Sequence, residues 1–239
     1  MKVDVNPSHR LWSGVCKIYN WVFPRHCIVC SCECTCFLCD LCKIALPYLE
    51  HACPQCAMPT PPQAEENILC GKCVSHHQLL DRVFCAYLYK WPIDFCIKQF
   101  KFHQNNLCGR MLVSYVAQLS LQWHRPQALV PIPLHGKRLR ERGFDQALII
   151  ARGLARCHQL PCLDHLRRMR FGPPQSRLHA CERNKNMQHA FVATRALPKH
   201  VALVDDVMTT GATLRSAAHC LRQAGVDRID AWVCARTVS

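Results

Sequence analysis

The run VALVDDVMTTGAT, Val201 to Thr213, combines the groups that hold a sugar phosphate. Apolar residues end in two carboxylates, Asp205 and Asp206, and a Thr-Thr-Gly-Ala-Thr turn then opens a helical pattern. Gly211 lets the backbone approach a ligand closely, the hydroxyls of Thr209, Thr210 and Thr213 can donate hydrogen bonds, and amides at a helix start point at an anion. Residues Thr209, Thr210, Gly211, Ala212 and Thr213 therefore read as a phosphate cradle. The carboxylates, at the carboxyl end of a strand where open α/β sheets bind ligands, can accept hydrogen bonds from vicinal ribose hydroxyls. A solvated polar turn before a capped helix is the bland alternative, and adjacent carboxylates followed by three threonines around one glycine argue against it.

The second chemical signal is sulfur. Four C-x-x-C pairs stand in order: Cys27/Cys30, Cys39/Cys42, Cys53/Cys56 and Cys70/Cys73. Two residues between thiolates let both sulfurs reach one ion, and two such knuckles complete a closed tetrahedral Cys₄ zinc site. Two structural zincs are expected, with pairing in sequence order favoured and an interleaved cross-brace sterically open. Cys32, Cys34 and Cys36 can compete as ligands of the first site. Redox dithiols, idle thiols and an iron–sulfur cluster are the competing readings. Closed sites leave no coordination position for chemistry, so this module stabilises or docks.

These groups need elements to position them. The chain has 239 residues and 20 cysteines, 12 of them before residue 81. Residues 1–26 carry aromatics but no motif, 27–80 form the cysteine module, and 81–239 alternate short apolar runs with helical patterns. RVFCAYLY (82–89), ALVPIP (128–133), VALV (201–204) and IDAWVCA (229–235) predict strands; 109–122, 145–157 and 212–225 predict helices, the last capped by Gly225. The expected fold is α/β, a parallel sheet flanked by helices, with a small N-terminal double zinc ribbon. The formal charge of +14 lies wholly after residue 80, which implies phosphate-bearing partners. Metallated Cys₄ sites are negative, so the ribbon is not the expected contact for nucleic acid. No apolar stretch is long enough for a membrane span, the N-terminus lacks a signal-peptide pattern, and the expected compartment is the cytoplasm. The absence of G-x-x-x-x-G-K-[ST] excludes a P-loop ATPase.

The 201–213 string resembles the signature of type I phosphoribosyltransferases, which bind phosphoribosyl pyrophosphate (PRPP) with magnesium. The order of the four cysteine pairs, VPIPLHGKRLRERGFDQA (130–147), PQSRLHACERNKNMQHAF (174–191) and the PRPP loop is similar to the ComF/GntX family of competence-associated proteins. The resemblance covers about residues 27–238. It implies a double zinc ribbon fused to a phosphoribosyltransferase-like domain, associated with DNA uptake and natural transformation. Asp205 and Asp206 would hold and polarise the ribose, and the cradle would take the 5-phosphate. Lys137, Arg138 and Arg142 would face the pyrophosphate, because arginine offers paired donors to phosphate oxygens. Two departures stand out: Asp145 replaces the usual asparagine after Gly143-Phe144, adding negative charge on the pyrophosphate side, and Phe171-Gly172-Pro173-Pro174 replaces a stretch often rich in threonine. The glycine and prolines suggest a flap carrying or adjoining Arg168, Arg170, Arg177 and Arg183. Lys101 is a further anion contact to consider.

The leading expectation is magnesium-dependent phosphoribosyl transfer, a pentosyltransferase reaction with an unknown acceptor. The alternative is a non-catalytic module in which PRPP regulates binding of single-stranded DNA or of components of the DNA-uptake machinery by the basic face. Residues 137–199 carry a net +10, and Arg168 and Arg170 are the expected DNA contacts. No membrane insertion is expected.

Overall fold

The computed structural model describes residues 25–65, 67–75, 79–120, 123–169 and 190–238. The N-terminal extension up to residue 24, and the flap segment with Arg170, Arg177 and Arg183, lie outside the described residues. Internal contacts divide the chain into two compact units, Met1–Leu46 and Pro47–Ser239. The division falls inside the 27–80 module because the chain after Leu46 is stitched to the sheet of the larger unit. Leu49 N–H donates to Ala86 O (3.1 Å), Leu88 N–H to Pro47 O (2.8 Å) and Val83 N–H to Pro54 O (2.7 Å).

In the small unit, β1 (Arg25–His26) pairs antiparallel with β2 (Glu33–Cys34), and α1 (Asp40–Ile44) follows. Leu38 is fully buried.

The larger unit opens with α2 (Gly71–Val74), then β3 (Arg82–Leu88), α3 (Ile93–Phe102), α4 (Asn106–Leu119) and β4 (Ala128–Pro131). There follow α5 (Gly136–Arg142), α6 (Gln146–His158), β5 (Leu166–Arg168), β6 (Phe191–Ala193), β7 (His200–Met208), α7 (Ala212–Gln223) and β8 (Arg228–Arg236). Strands β3, β8, β7 and β4 form a four-stranded sheet in that order, all pairs parallel. Its two central strands are largely buried on both faces, which is why most of their residues are apolar, Val201–Val204 in β7 and Ala231–Ala235 in β8 being continuous apolar runs.

Side chains alternate across the sheet. On one face Val83, Val201, Leu203, Ile229, Ala231 and Val233 meet Leu214, Ala217, Ala218 and Leu221 of α7, together with Leu166 and Phe191 of the β5–β6 hairpin. The α7 positions repeat at i, i+3, i+4 and i+7, the stripe of an amphipathic helix. Ala57, from the second cysteine segment, joins the same core. On the other face Trp232 stacks edge-on against Trp123 and His158, with ring centroids 5.2 and 5.4 Å apart. Helices α4 and α6 approach closely there: a Cβ on Gly153 would lie 2.6 Å from a Val113 methyl. The predicted strands and helices all occur; α3, the β5–β6 pair and α5 are additions to these, the last forming a short helix where a basic loop after β4 was expected. Among the described residues no helix is long and apolar enough to cross a membrane.

Candidate functional site

The site is built where β4 and β7 end side by side. Parallel strands bring their carboxyl ends to one edge, and the segments that follow β4 and β7 open a crevice between them. Strand β7 carries Asp205 and Asp206 and runs to Met208, and Thr209 and Thr210 follow as exposed residues. Gly211 takes φ +74° and caps α7. A side chain there would be strained and would place Cβ 2.5 Å from Met208 Cε, so glycine is required for the turn. Ala212 N–H donates to Thr210 Oγ1 (3.3 Å), and Arg215 Nη1 donates to Thr210 O (2.9 Å).

A cavity of about 330 Å³ lies beside this turn. Its wall includes Asp205, Asp206, Thr209 and Thr213, and also Arg138, Arg142, Arg168, Lys101 and Asp145. The acidic pair, two cradle hydroxyl residues and the two predicted arginines are thus gathered around one space; Thr210, Gly211 and Ala212 complete the turn at its edge. Lys137 lies on α5, and its side chain is outside the described residues.

The cavity sets an acidic pair among several cations. Burial, and then the charge of Asp206, push the Asp205 carboxyl well above the usual carboxylate range. Asp206 N–H donates to Asp205 Oδ1 (2.8 Å), and Lys101 Nζ, in the last turn of α3, lies 2.7 Å from Asp206 Oδ2. Lys101 therefore neutralises the acidic pair directly. Arg142, also on the cavity wall, donates from Nη1 to Gln146 Oε1 (3.1 Å), and its guanidinium lies 5.1 Å from the Phe102 ring centroid. Burial and the neighbouring charge of Arg138 lower the Arg168 pKa, while Asp205 raises it.

Asp145 is held as a structural acceptor. Its two oxygens take Leu134 N–H (2.8 Å) and Leu148 N–H (3.1 Å), so it caps α6 and fixes the loop after β4. Burial raises its pKa against those two hydrogen bonds. The sequence signalled its extra charge but not this use of it. Arg168 was expected on a DNA-binding face, and it lines the cavity. Sequence reasoning also missed the Lys101–Asp206 pair, for which proximity of Lys101 to a helix end was the available signal.

The eight cysteines form two groups, Cys27/Cys30/Cys39/Cys42 and Cys53/Cys56/Cys70/Cys73, with all sulfurs of a group within 4.8 Å of one another. This is the arrangement in sequence order. Soft thiols at that spacing suit zinc, and backbone amides favour the ligand form. Burial raises the Cys27 thiol, but the amides of Cys30, Cys39 and Val29 outweigh it and bring its pKa to about 6. In the second group burial again raises Cys70, and the Cys73 amide helps bring it to about 7. Cys32 Sγ lies 3.3 Å from Cys30 Sγ as a fifth thiol, while Cys34 donates to the Cys36 carbonyl (3.0 Å).

No protein-family model matches the chain. It is 33% identical over 178 residues to competence protein F of Haemophilus influenzae, covering 70% of this chain and 78% of that protein. It is 28% identical to the DNA utilization protein YhgH of Salmonella typhimurium over 84% and 91% of the two chains. With the competence protein ComFC of Bacillus subtilis it shares 27% identity over 79% of each. Among solved structures, the glutamine PRPP amidotransferase of B. subtilis complexed with ADP and GMP overlaps at a TM-score of 0.39 and 22% identity. That overlap covers 52% of this chain and a quarter (25%) of the amidotransferase chain.

Proposed function

The chain belongs to the competence protein F (ComF) family, and we propose that it binds PRPP with magnesium and transfers the phosphoribosyl group in a process of DNA uptake or use. The observation that carries this reading is one cavity walled by both an acidic pair and three arginines, beside a threonine turn built on Gly211. In the proposed pose, the 5-phosphate takes the hydroxyls of Thr209, Thr210 and Thr213 and the amides of Gly211 and Ala212 at the start of α7. Asp205 and Asp206 accept from the ribose 2- and 3-hydroxyls. Arg138, Arg142 and Arg168, with Lys137, face the pyrophosphate.

When the bond from C1 to the pyrophosphate oxygen breaks, the electron pair leaves with pyrophosphate and positive charge grows on the ribose ring. The acidic pair stabilises the ring and the arginines stabilise the leaving group, both in place before the reaction. An acceptor nucleophile then closes on C1, and its proton leaves to solvent or to a carboxylate. Bound together with PRPP beside the carboxylates of Asp205 and Asp206, magnesium would supply additional neutralisation of the leaving charge. Lys101 must yield Asp206 in part as the ribose arrives. The four-sulfur groups are assigned to two structural zinc ions, and the cytoplasm is the proposed compartment.

Calorimetry with PRPP and magnesium tests binding, and pyrophosphate release in the presence of candidate bases tests turnover. Saturable binding lost in Asp205→Asn supports the site; no binding by the zinc-loaded protein would reject it. A second reading, in which PRPP only regulates DNA or partner binding, is favoured by the basic surface outside the cavity. There Arg152 and Arg156 of α6 line a separate groove of about 540 Å³. Tight PRPP binding without pyrophosphate release for any acceptor would select it.

A further inference from the structure

Arg236, the last residue of β8, is buried, yet among the described residues no carboxylate pairs with its guanidinium. A buried charge of this kind is costly unless its donors are satisfied and an opposite charge lies near. Its hydrogen-bond partners among the described residues are four backbone carbonyls and one sulfur. Nε donates to the carbonyl of Cys56 (2.9 Å), and Nη2 to the sulfur of Met58 (3.2 Å). Nη1 donates to the carbonyls of Met208 (3.1 Å), Thr209 and Thr237 (2.6 Å). One planar fork therefore joins a ligand residue of the second cysteine group to the two residues that open the phosphate turn.

The surrounding geometry makes this joint stiff. Met208 and Arg236 are register partners across β7 and β8. The Cys53–Cys56 knuckle is tied to β3 by the Val83 N–H to Pro54 O bond. Arg215 holds the next carbonyl of the turn, that of Thr210. Three successive carbonyls, of Met208, Thr209 and Thr210, are thus pinned by two arginines. The knuckle keeps its shape when both its sulfurs reach one ion, and a divalent ion held by four thiolates retains two negative charges. That charge is the counterpart the guanidinium otherwise lacks.

We propose that Arg236 makes the second cysteine centre part of the phosphate site, so that zinc held by Cys53, Cys56, Cys70 and Cys73 sets the conformation of the Met208–Thr213 turn and thereby the affinity for PRPP. The proposal rests on the reading that the turn holds the 5-phosphate. Arg236 acts here as a positioning residue, through the carbonyls of the turn. A lysine keeps the charge but has one ammonium in place of the fork, and so cannot hold Cys56, Met208 and Thr209 together.

The test uses the full-length protein with two independent readouts: hydrogen exchange at the amides of residues 209–213 without PRPP, and PRPP affinity by calorimetry with magnesium. Arg236→Lys is expected to speed exchange in the turn about tenfold or more and to weaken PRPP at least tenfold, with both zincs retained. Cys70→Ser should lose one zinc and show the same two changes, and Cys157→Ser, at an exposed thiol outside both groups, should show neither. Unchanged exchange in Arg236→Lys overturns the proposal, and that variant decides the matter if Cys70→Ser fails to fold. If the parent protein binds no PRPP, the functional reading fails, while the exchange experiment still decides whether the metal centre and the turn are coupled.

Discussion

The two cysteine groups have the same four ligands and the same knuckle spacing, but they are embedded differently. The first lies in a unit of its own, where Cys27 and Leu38 are buried and α1 exposes Leu41 and Ile44. The second belongs to the unit that contains the sheet, gives Ala57 to its core and is gripped by Arg236. On the proposed zinc assignment, identical metal chemistry would do different work, ordering a separate unit in one case and bracing the proposed ligand site in the other. Structural zinc contributes folding energy wherever it binds, and what differs is which residues inherit that order.

The largest expected effect separates the two groups. Cys53→Ser should release one of two zincs and lower the unfolding midpoint of the larger unit, since it loosens a segment packed on the core. PRPP affinity should fall at least tenfold, about 1.4 kcal/mol or more. Cys39→Ser should release one zinc as well, with PRPP affinity changed less than about threefold. Elemental analysis, a thermal melt and calorimetry on the same samples check the pair, and equal losses of PRPP affinity would erase the distinction.

An effect of similar size should appear with zinc untouched. Asp206→Ala and Thr210→Val remove a ribose acceptor and a phosphate donor, and each is expected to weaken PRPP about tenfold, or 1.4 kcal/mol, with two zincs per chain retained. Loss of zinc in either variant would show that the support runs in both directions.

Much of this was legible in sequence because the signals were local. The acidic pair, the threonine turn and the C-x-x-C pairs each lie within a few residues, and the strands β7 and β8 read as apolar runs because both of their faces are covered. The β5–β6 hairpin was not legible: its strands are three residues long and separated by a segment with no alternating pattern. Arg236 was missed as a site residue, and Lys101, expected as an anion contact, was missed as the partner of Asp206, for another reason. A single basic residue at the end of a strand or helix has no motif, and its partners, Cys56 and Met208 in one case and Asp206 in the other, meet it only through the fold.

A smaller effect concerns protons. The Asp205 carboxyl has its pKa raised by burial and by Asp206, so in the free protein it holds its proton to higher pH than an ordinary aspartate. Ribose hydroxyls and magnesium favour the ionised form, so binding releases a proton. PRPP affinity should therefore rise as pH increases toward the raised pKa and weaken as pH falls below it. The same shift makes Asp205 a net cost to stability that is full above its raised pKa, shrinks as pH falls below it, and is gone below the ordinary carboxylate pKa, where the unfolded chain is protonated too. Calorimetry in buffers of different ionisation enthalpy measures the released proton. The part due to Asp205 should vanish in Asp205→Asn, which separates it from titration of the PRPP phosphates.

The smallest expected effect divides the arginines themselves. If the basic surface holds single-stranded DNA, each neutralised phosphate releases condensed counterions, and log affinity falls with log salt by about 0.7 per contact. Arg140 and Arg168 are both exposed, but Arg140, on α5, is absent from the cavity wall, whereas Arg168 lines the cavity beside Asp205. Arg140→Ala is therefore expected to make the salt slope shallower by about 0.7 while leaving PRPP affinity nearly unchanged. Arg168→Ala should weaken PRPP and leave the DNA slope almost as it was. A filter-binding series from low to moderate salt, read beside calorimetry, checks both. If Arg168→Ala changes the DNA slope and not PRPP affinity, the guanidinium faces nucleic acid in solution and the pyrophosphate side rests on Arg138 and Arg142. If neither variant moves the slope, the DNA contact lies away from these two arginines, and the exposed surface of the first cysteine unit becomes the next place to probe.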